Sequence, residues 1–383
     1  MKKTINIIKF LFFFPILIVL FFLITIDFIL PIFVKNINDV FFNKPGKDWG
    51  IYNNIYHHDI RKKRKVTQIW DVNGDPYLSC SDLSGFKSKC SDMNKQIKNY
   101  DFAFIGDSMT EGVGLEYENT FVGILADKYK NLKIANLGVS SYTHSIYYSK
   151  INFLLNNGYK FNHLVLVPDL SDIQDEAIYY KLCGDIVIDK KTNNCEIAQN
   201  KKFKWKLKHL AFKHAQQTYT LYVHTMGVLK QGPKYFSKFS KKKEPYEFTR
   251  YNWDHPRGEW TYKPNSKFYG EGVKSATQTT LQISEKLYEL LEKNNIKLSV
   301  MVYPWPNQIK YDTNKNNHYK MWEEFCKNKC FMFVNAGDYF FKSRDELGLN
   351  KTYDKYFVKG DMHFNKSGHR VLSEFASKII SAN

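Results

Sequence analysis

Along this chain, apolar residues gather in short runs at Phe102–Ile105, Leu132–Leu137, Leu164–Val167, Lys297–Tyr303 and Phe331–Asn335. Each run has the length of a strand buried on both faces. Between the runs the apolar positions take helical spacing. Phe121, Ile124, Leu125 and Tyr129 mark one face of a helix over 116–129, and further helices are predicted over 144–156, 275–294, 318–327 and 367–381. Asn157-Gly158 offers the second of these a C-cap. Short apolar strands joined by connections of a dozen or more residues predict an α/β fold whose mostly parallel central sheet is covered on both faces.

Two regions break the alternation. Residues 35–100 are polar and aromatic without a long helical period, and read as a stalk and cap. Residues 183–270 interrupt the α/β order as an inserted lid or subdomain, with a basic, aromatic helix over 204–229 and an ordered loop over 250–261. The main domain therefore runs over 101–383.

The longest apolar stretch lies near the start. Phe10 to Ile26 are seventeen apolar or near-neutral residues, and after Asp27 the run continues to Val34. A hydrocarbon core needs about 20 such helical residues. Lys2, Lys3 and Lys9 precede the run without an acidic neighbour, which favours an inside N-terminus and an exported body. With no small-residue cleavage site after it, 10–34 is expected to be an uncleaved single-pass signal anchor. Residues 1–9 would then be cytoplasmic and the rest would face the periplasm or another extracytoplasmic space. The alternatives are a cleaved peptide and a buried helix.

The six cysteines form three local couples, Cys80/Cys90, Cys183/Cys195 and Cys326/Cys330. Six cysteines allow 15 connectivities, which spacing alone does not decide. Three short staples are the simplest choice in an oxidising compartment. Unequal spacing and the lack of a CxxC pair weigh against zinc, and free thiols remain open for any one couple. Neither metal nor cofactor is expected. The net charge of +18 has one dense run, Arg61-Lys-Lys-Arg-Lys65, which reads as a solvated face or as an attraction to anionic headgroups or an acidic glycan. No nucleic-acid module is present, so that partner is excluded.

The chemistry-bearing segments lie far apart. Gly106-Asp-Ser-Met-Thr-Glu-Gly112 stands where a strand ends and a helix begins, the place where open parallel sheets collect ligands. Glycines there permit a tight turn that exposes the Ser108 hydroxyl. The α/β-hydrolase elbow is excluded, because Ser108 lacks the G-x-S-x-G frame. Gly360-Asp-Met-His-Phe-Asn365 supplies Asp361 and His363 just before the last helix. A serine, a histidine and an aspartate that orients the histidine make up the inventory for covalent acyl transfer.

The seven-residue serine string resembles the first block of the SGNH/GDSL hydrolases, and later segments extend the resemblance in scattered blocks over 101–378. It implies a flavodoxin-like three-layer α/β/α fold. It also implies Ser108 as nucleophile, Gly138 of Asn136-Leu-Gly-Val-Ser140 as an oxyanion-hole donor beside the Ser108 N–H, and Asp361 and His363 as acid and base. One residue separates Asp361 from His363 where the commonest family pattern has two, a shortening found among membrane-linked relatives that handle polysaccharide acyl groups. The third block is the weak match. Asp169-Leu-Ser-Asp172 puts Ser171 where the oxyanion asparagine is expected, and the aspartates have an alternative role as helix caps.

The resemblance implies an O-acyl group, acetyl first, on a cell-envelope carbohydrate. The acyl acceptor is a sugar hydroxyl for a transferase or water for an esterase. A tethered glycan-binding or assembly protein without catalysis is the non-enzyme reading. An acyl donor, the cytoplasmic membrane and a membrane acyl-export protein are the expected partners. Trp205, Trp253 and Trp260 of the insertion are expected either to stack on sugars or to form lid core. Pro304-Trp-Pro-Asn-Gln308 offers Trp305 and Asn307 as a wall. Asp107, Asp172 and Asn365 complete the expected substrate-facing set.

Overall fold

A computed structural model describes residues 49–70, 76–192, 195, 253, 255–263 and 272–383. All of these belong to one compact unit, 45–195 with 247–383. The expected anchor at 10–34, Trp205 and the helix expected over 204–229 lie outside the described residues. Among the described residues no helix is long and apolar enough to cross a membrane.

The expected cap is built of small antiparallel pieces. Strands β1 (Gly50–Asn53) and β2 (His57–Ile60) pair with each other. β3 (Lys65–Ile69), β4 (Pro76–Ser81) and β5 (Lys87–Ser88) form a three-stranded sheet. The central sheet then begins with β6 (Asn99–Gly106), β7 (Ile134–Asn136) and β8 (Lys160–Val167). The hairpin of β9 (Tyr180–Cys183) and β10 (Ile186–Asp189) follows, so the start of the expected insertion is ordered against the main unit. β11 (Lys297–Val302) and β12 (Met332–Asn335) complete the central sheet.

The central sheet is wholly parallel in the order β12-β11-β8-β6-β7. From β6 the chain steps to one side for β7, crosses back for β8, and continues outward to β11 and β12. The loops leaving β6 and β8 therefore diverge, and a crevice opens at the carboxyl end of β6.

Period-two alternation along β6 explains its burial on both faces. Phe102 and Phe104 join Phe121, Val122, Leu372, Ala376 and Ile379 in one core. Ala103 and Ile105 face Ile146, Ile151, Leu287 and Trp322 in the other. The first core is covered by α2 (Phe121–Lys128) and the C-terminal α10 (Lys366–Ala382), after α1 (Ser108–Glu111) has left β6. The second is covered by α3 (His144–Asn156), α5 (Val273–Lys293) and α7 (Asn317–Cys326). The remaining α-helices among the described residues are α4 (Asp172–Ile178), α6 (Pro306–Tyr311), α8 (Gly337–Leu347) and α9 (Leu349–Tyr356). The last three were not expected from apolar spacing; the buried face of α9 is written in Thr352, Tyr353 and Tyr356.

The three expected cysteine couples are disulfides: Cys80–Cys90, Cys183–Cys195 and Cys326–Cys330. The cap is held to the sheet by a buried ion pair. Lys150 Nζ on α3 donates to Asp59 Oδ1 on β2 at 2.9 Å, beneath the Tyr142 ring at 4.9 Å from its centroid. Asp59 also accepts from the hydroxyls of Tyr56 and Tyr142. Such a pair stabilises little against an apolar substitute but costs heavily when one partner is lost. Urea unfolding is therefore expected to show Lys150→Ala losing about 3–5 kcal/mol. Adding Asp59→Asn should recover part of that loss, and strictly additive losses would mean the two groups are uncoupled.

Candidate active site

β6 ends at Gly106, where a side chain has no room: a Cβ would lie 2.6 Å from the Val167 carbonyl oxygen. Asp107 then caps α1, its Oδ1 accepting from the Met109 N–H at 3.0 Å. Gly112, at φ +73°, ends the single helical turn, its N–H donating to the Ser108 carbonyl. This strand–turn–turn geometry lifts Ser108 to the head of β6.

The partner segment is held by the loop between α9 and α10. The Val358 N–H donates to the His363 carbonyl at 2.8 Å, and the Tyr353 hydroxyl donates to the Asp361 carbonyl at 2.7 Å. Within this clasp His363 Nε2 lies 2.8 Å from Ser108 Oγ, and Nδ1 lies 3.0 Å from Asp361 Oδ2. The three residues are thus brought together as a serine–histidine–aspartate relay. Ser108 Oγ also lies 3.0 Å from Asp107 Oδ2, so its single proton has two acceptors.

Trp70, just beyond β3 in the cap, was not singled out in the sequence. Its indole Nε1 donates to Asp361 Oδ2 at 2.5 Å, and the ring stands edge-on to His363 with centroids 5.2 Å apart. An isolated tryptophan followed by a polar stretch gives no sequence signal for such a reach.

The charges are strongly biased. Burial pushes the Asp361 carboxyl up, but the His363 charge and the hydrogen bonds from His363, Trp70 and the Met362 N–H outweigh it, leaving a pKa of about 2. Burial pulls His363 down, yet Asp361, with Asp107 and Asp169 behind it, carries its pKa above the ordinary histidine value. Asp107 is raised to about 7, first by burial and then by Asp169.

Asp107, Asp169 and Asp172 form a buried trio with ligand atoms within 4.8 Å of one another, a spacing that admits a cation. The chain's own donors take most of their oxygens. Tyr303 Oη and Trp305 Nε1 each donate to Asp169 Oδ2 at 2.7 Å, and Tyr147 Oη donates to Asp172 Oδ2 at 2.8 Å. Only Asp172 Oδ1 is left without a partner. Burial, then Asp107 and Asp169, raises Asp172 well above the carboxylate range.

Several expected contacts are placed otherwise. The Gly138 N–H donates to Asn136 Oδ1 at 3.0 Å, and a Cβ there would meet the Glu111 nitrogen at 2.4 Å, so this glycine is packed under α1 rather than offering an oxyanion donor. Ser171 is buried and gives both its N–H and its hydroxyl to Asp169 Oδ1, at 2.8 and 2.6 Å. The N–H groups of Ser108 and Ser141 have no partner among the described residues. They lie on the loops leaving the adjacent strands β6 and β7. Ser141 has φ +65°, a left-handed conformation that serine gives no sequence signal for.

Trp305 is core, 2% exposed, and Trp260 packs on Ile173 and Ala276. Trp253 is half-buried edge-on against Tyr353. Asn307 is fully buried and donates to the His255 carbonyl at 3.1 Å. Asn365 caps α10, its Oδ1 accepting from Ser367 and Gly368 while its Nδ2 donates to Lys355 and Phe357 carbonyls. Asp172 lies in the buried trio. Of the expected substrate-facing set, only Asp107 touches Ser108.

For a neutral imidazole acting as base, the raised His363 pKa places the acid limb of ester turnover above the reference histidine value of about 6.5. Trp70→Phe removes a donor from Asp361, leaving more of its charge for His363. The limb is expected to move to higher pH and kcat to fall about tenfold, the worth of one hydrogen bond to a charged group. Asp361→Asn removes the charge and is expected to move the limb down while lowering kcat further. A pH–rate profile unchanged by either substitution would show that the relay does not carry the rate.

No family model and no curated protein matches the chain. Similar solved structures include a member of the lipolytic protein G-D-S-L family from Veillonella parvula, at 11% identity over 73% of this chain and 98% of that one, with a TM-score of 0.40. A psychrotrophic esterase from Pseudoalteromonas sp. is 12% identical over 74% of this chain and 97% of its own, with a TM-score of 0.36. An acetylxylan esterase from Geobacillus stearothermophilus, solved as a catalytic mutant, is 9% identical over 75% and 96%, with a TM-score of 0.37. The solved structures that this chain is similar to thus include GDSL-type lipolytic hydrolases and esterases, and its serine and aspartate–histidine blocks resemble the SGNH/GDSL family.

Proposed function

We propose that this chain is a serine-dependent acyl-ester enzyme that carries an acyl group, acetyl first, through Ser108 to a hydroxyl of a cell-envelope carbohydrate. The observation that carries this reading is the 2.8 Å approach of His363 Nε2 to Ser108 Oγ with Asp361 behind it. His363 takes the hydroxyl proton as Ser108 Oγ attacks the ester carbonyl. Asp361 holds the imidazole tautomer and stabilises its charged form. The unpartnered N–H groups of Ser108 and Ser141 are the candidates to receive the oxyanion. Collapse expels the donor alcohol, protonated by His363, and leaves acyl-Ser108. A sugar hydroxyl, deprotonated by His363, then accepts the acyl group and restores the serine.

Hydrolysis is the second reading, and one observation favours it. Trp305, expected as a sugar-binding wall, is buried in the core, and Trp260, expected either to stack on sugars or to form lid core, is buried too. With water as acceptor the same residues make a carbohydrate O-acylesterase. Placement in the envelope rests on the apolar run 10–34 and on the disulfides, and an acyl-export partner rests on that placement alone.

Ser108→Ala and His363→Ala are each expected to lower ester turnover by about 10⁴-fold or more while leaving the unfolding midpoint near the parent's. Free acid and acylated oligosaccharide, quantified from one donor with both acceptors present, separate the two readings. An excess of acylated sugar supports transfer, and free acid alone across a varied acceptor panel makes the chain an esterase.

A further inference from the structure

A cleft of about 430 Å³ opens on the cap side of the relay, between the β3–β4 sheet, the turn at 114–119 and the loop that holds His363. Its volume falls within the range of small-ligand sites, although it is open to solvent. Trp70, Tyr77, Glu116, Asn119, Lys359 and Lys366 line it. Asn365, expected to face substrate, lines it too; the six others were not expected to meet substrate.

Trp70 is the wall shared with the relay. Its N–H is committed to Asp361 and its edge to His363, yet 41% of the residue remains exposed. Behind it stands Gly114, at φ +86°, where a Cβ would lie 3.4 Å from the indole Cδ1. The ring is oriented by its contacts with Asp361 and His363, and an oriented, half-exposed indole is a stacking platform with less ordering entropy left to lose. An acyl-chain pocket would be apolar throughout. This one sets an amide, a carboxylate and two ammonium groups around an aromatic plane, the combination that hydroxyl-rich rings satisfy by stacking and hydrogen bonds. Two lysines against one glutamate favour a ring that carries negative charge.

We propose that this cleft seats the carbohydrate of the acyl-ester reaction, as an anionic O-acylated sugar ring stacked on Trp70 with its charge toward Lys359 and Lys366. The inference rests on the acyl-ester reading for its substrate class, but its test does not require turnover. The full chain carrying Ser108→Ala is titrated calorimetrically with O-acetylated oligogalacturonate and, separately, with neutral O-acetylated xylo-oligosaccharide. In that background Trp70→Leu is expected to weaken both at least tenfold. Lys359→Ala combined with Lys366→Ala is expected to weaken the anionic ligand at least tenfold and the neutral one less than threefold. Gln282→Ala, in a separate 540 Å³ cavity beside α5, is the control expected to change neither. Binding that ignores all the cleft substitutions, or no binding of either oligosaccharide, overturns the proposal. If these ligands bind as expected and Ser108 supports no ester turnover, the cleft stands and the acyl-ester reading falls.

Discussion

The 2.8 Å contact between His363 Nε2 and Ser108 Oγ joins residues 255 positions apart, and the arrangement of the sheet makes it possible. The chain leaves β6 toward β7 and leaves the neighbouring β8 toward β11, so the two connections diverge and neither roofs the carboxyl end of β6. Gly106 brings the backbone against Val167, and Asp107 starts a helix of one turn. The histidine arrives on a loop fastened at both ends, by Tyr353 on one side and by Asn365 at the head of α10 on the other. Neither segment alone holds the distance; α2 and α10, packed on one face of the sheet, hold both.

Electrostatics then sets what this contact can do. Three carboxyl groups act on one imidazole, Asp361 in direct contact, Asp107 across the serine hydroxyl and Asp169 behind it, and Asp172 is buried beside the last two. Burying so many anions together is affordable only when protons, hydroxyls and N–H groups meet them. Tyr147, Tyr303 and Trp305 supply those donors, which is why a tryptophan between two prolines ends in the core rather than on a sugar-binding wall. The result is a histidine whose proton affinity is raised by charge although burial alone would lower it.

The scaffold was legible wherever burial wrote itself in aliphatic and phenylalanine residues. The helix over 144–156 and the strands around Phe104, Val165 and Val300 fall where apolar spacing puts them. α9 was not legible because its buried stripe is threonine and tyrosine, which pattern reading scores as polar. In the site, glycine-flanked Ser108 and the Asp361–His363 couple announce themselves by residue type. Gly138 misled for a physical reason: a glycine is needed where α1 presses on the chain as much as where an N–H must face a ligand. Trp70 was illegible because its role depends on cap strands folding back across some 290 residues to Asp361, a contact that no local spacing encodes.

The proposed chemistry stands or falls with Ser108 Oγ as the nucleophile. The most direct measurement is intact-protein mass spectrometry of the chain quenched in acid during turnover of an activated acetyl ester, followed by peptide mapping. One acetyl group is expected, located on Ser108, that disappears when the donor is exhausted and is never formed in His363→Ala. An acetyl group on another residue, or full turnover by Ser108→Ala with no adduct at all, would contradict it.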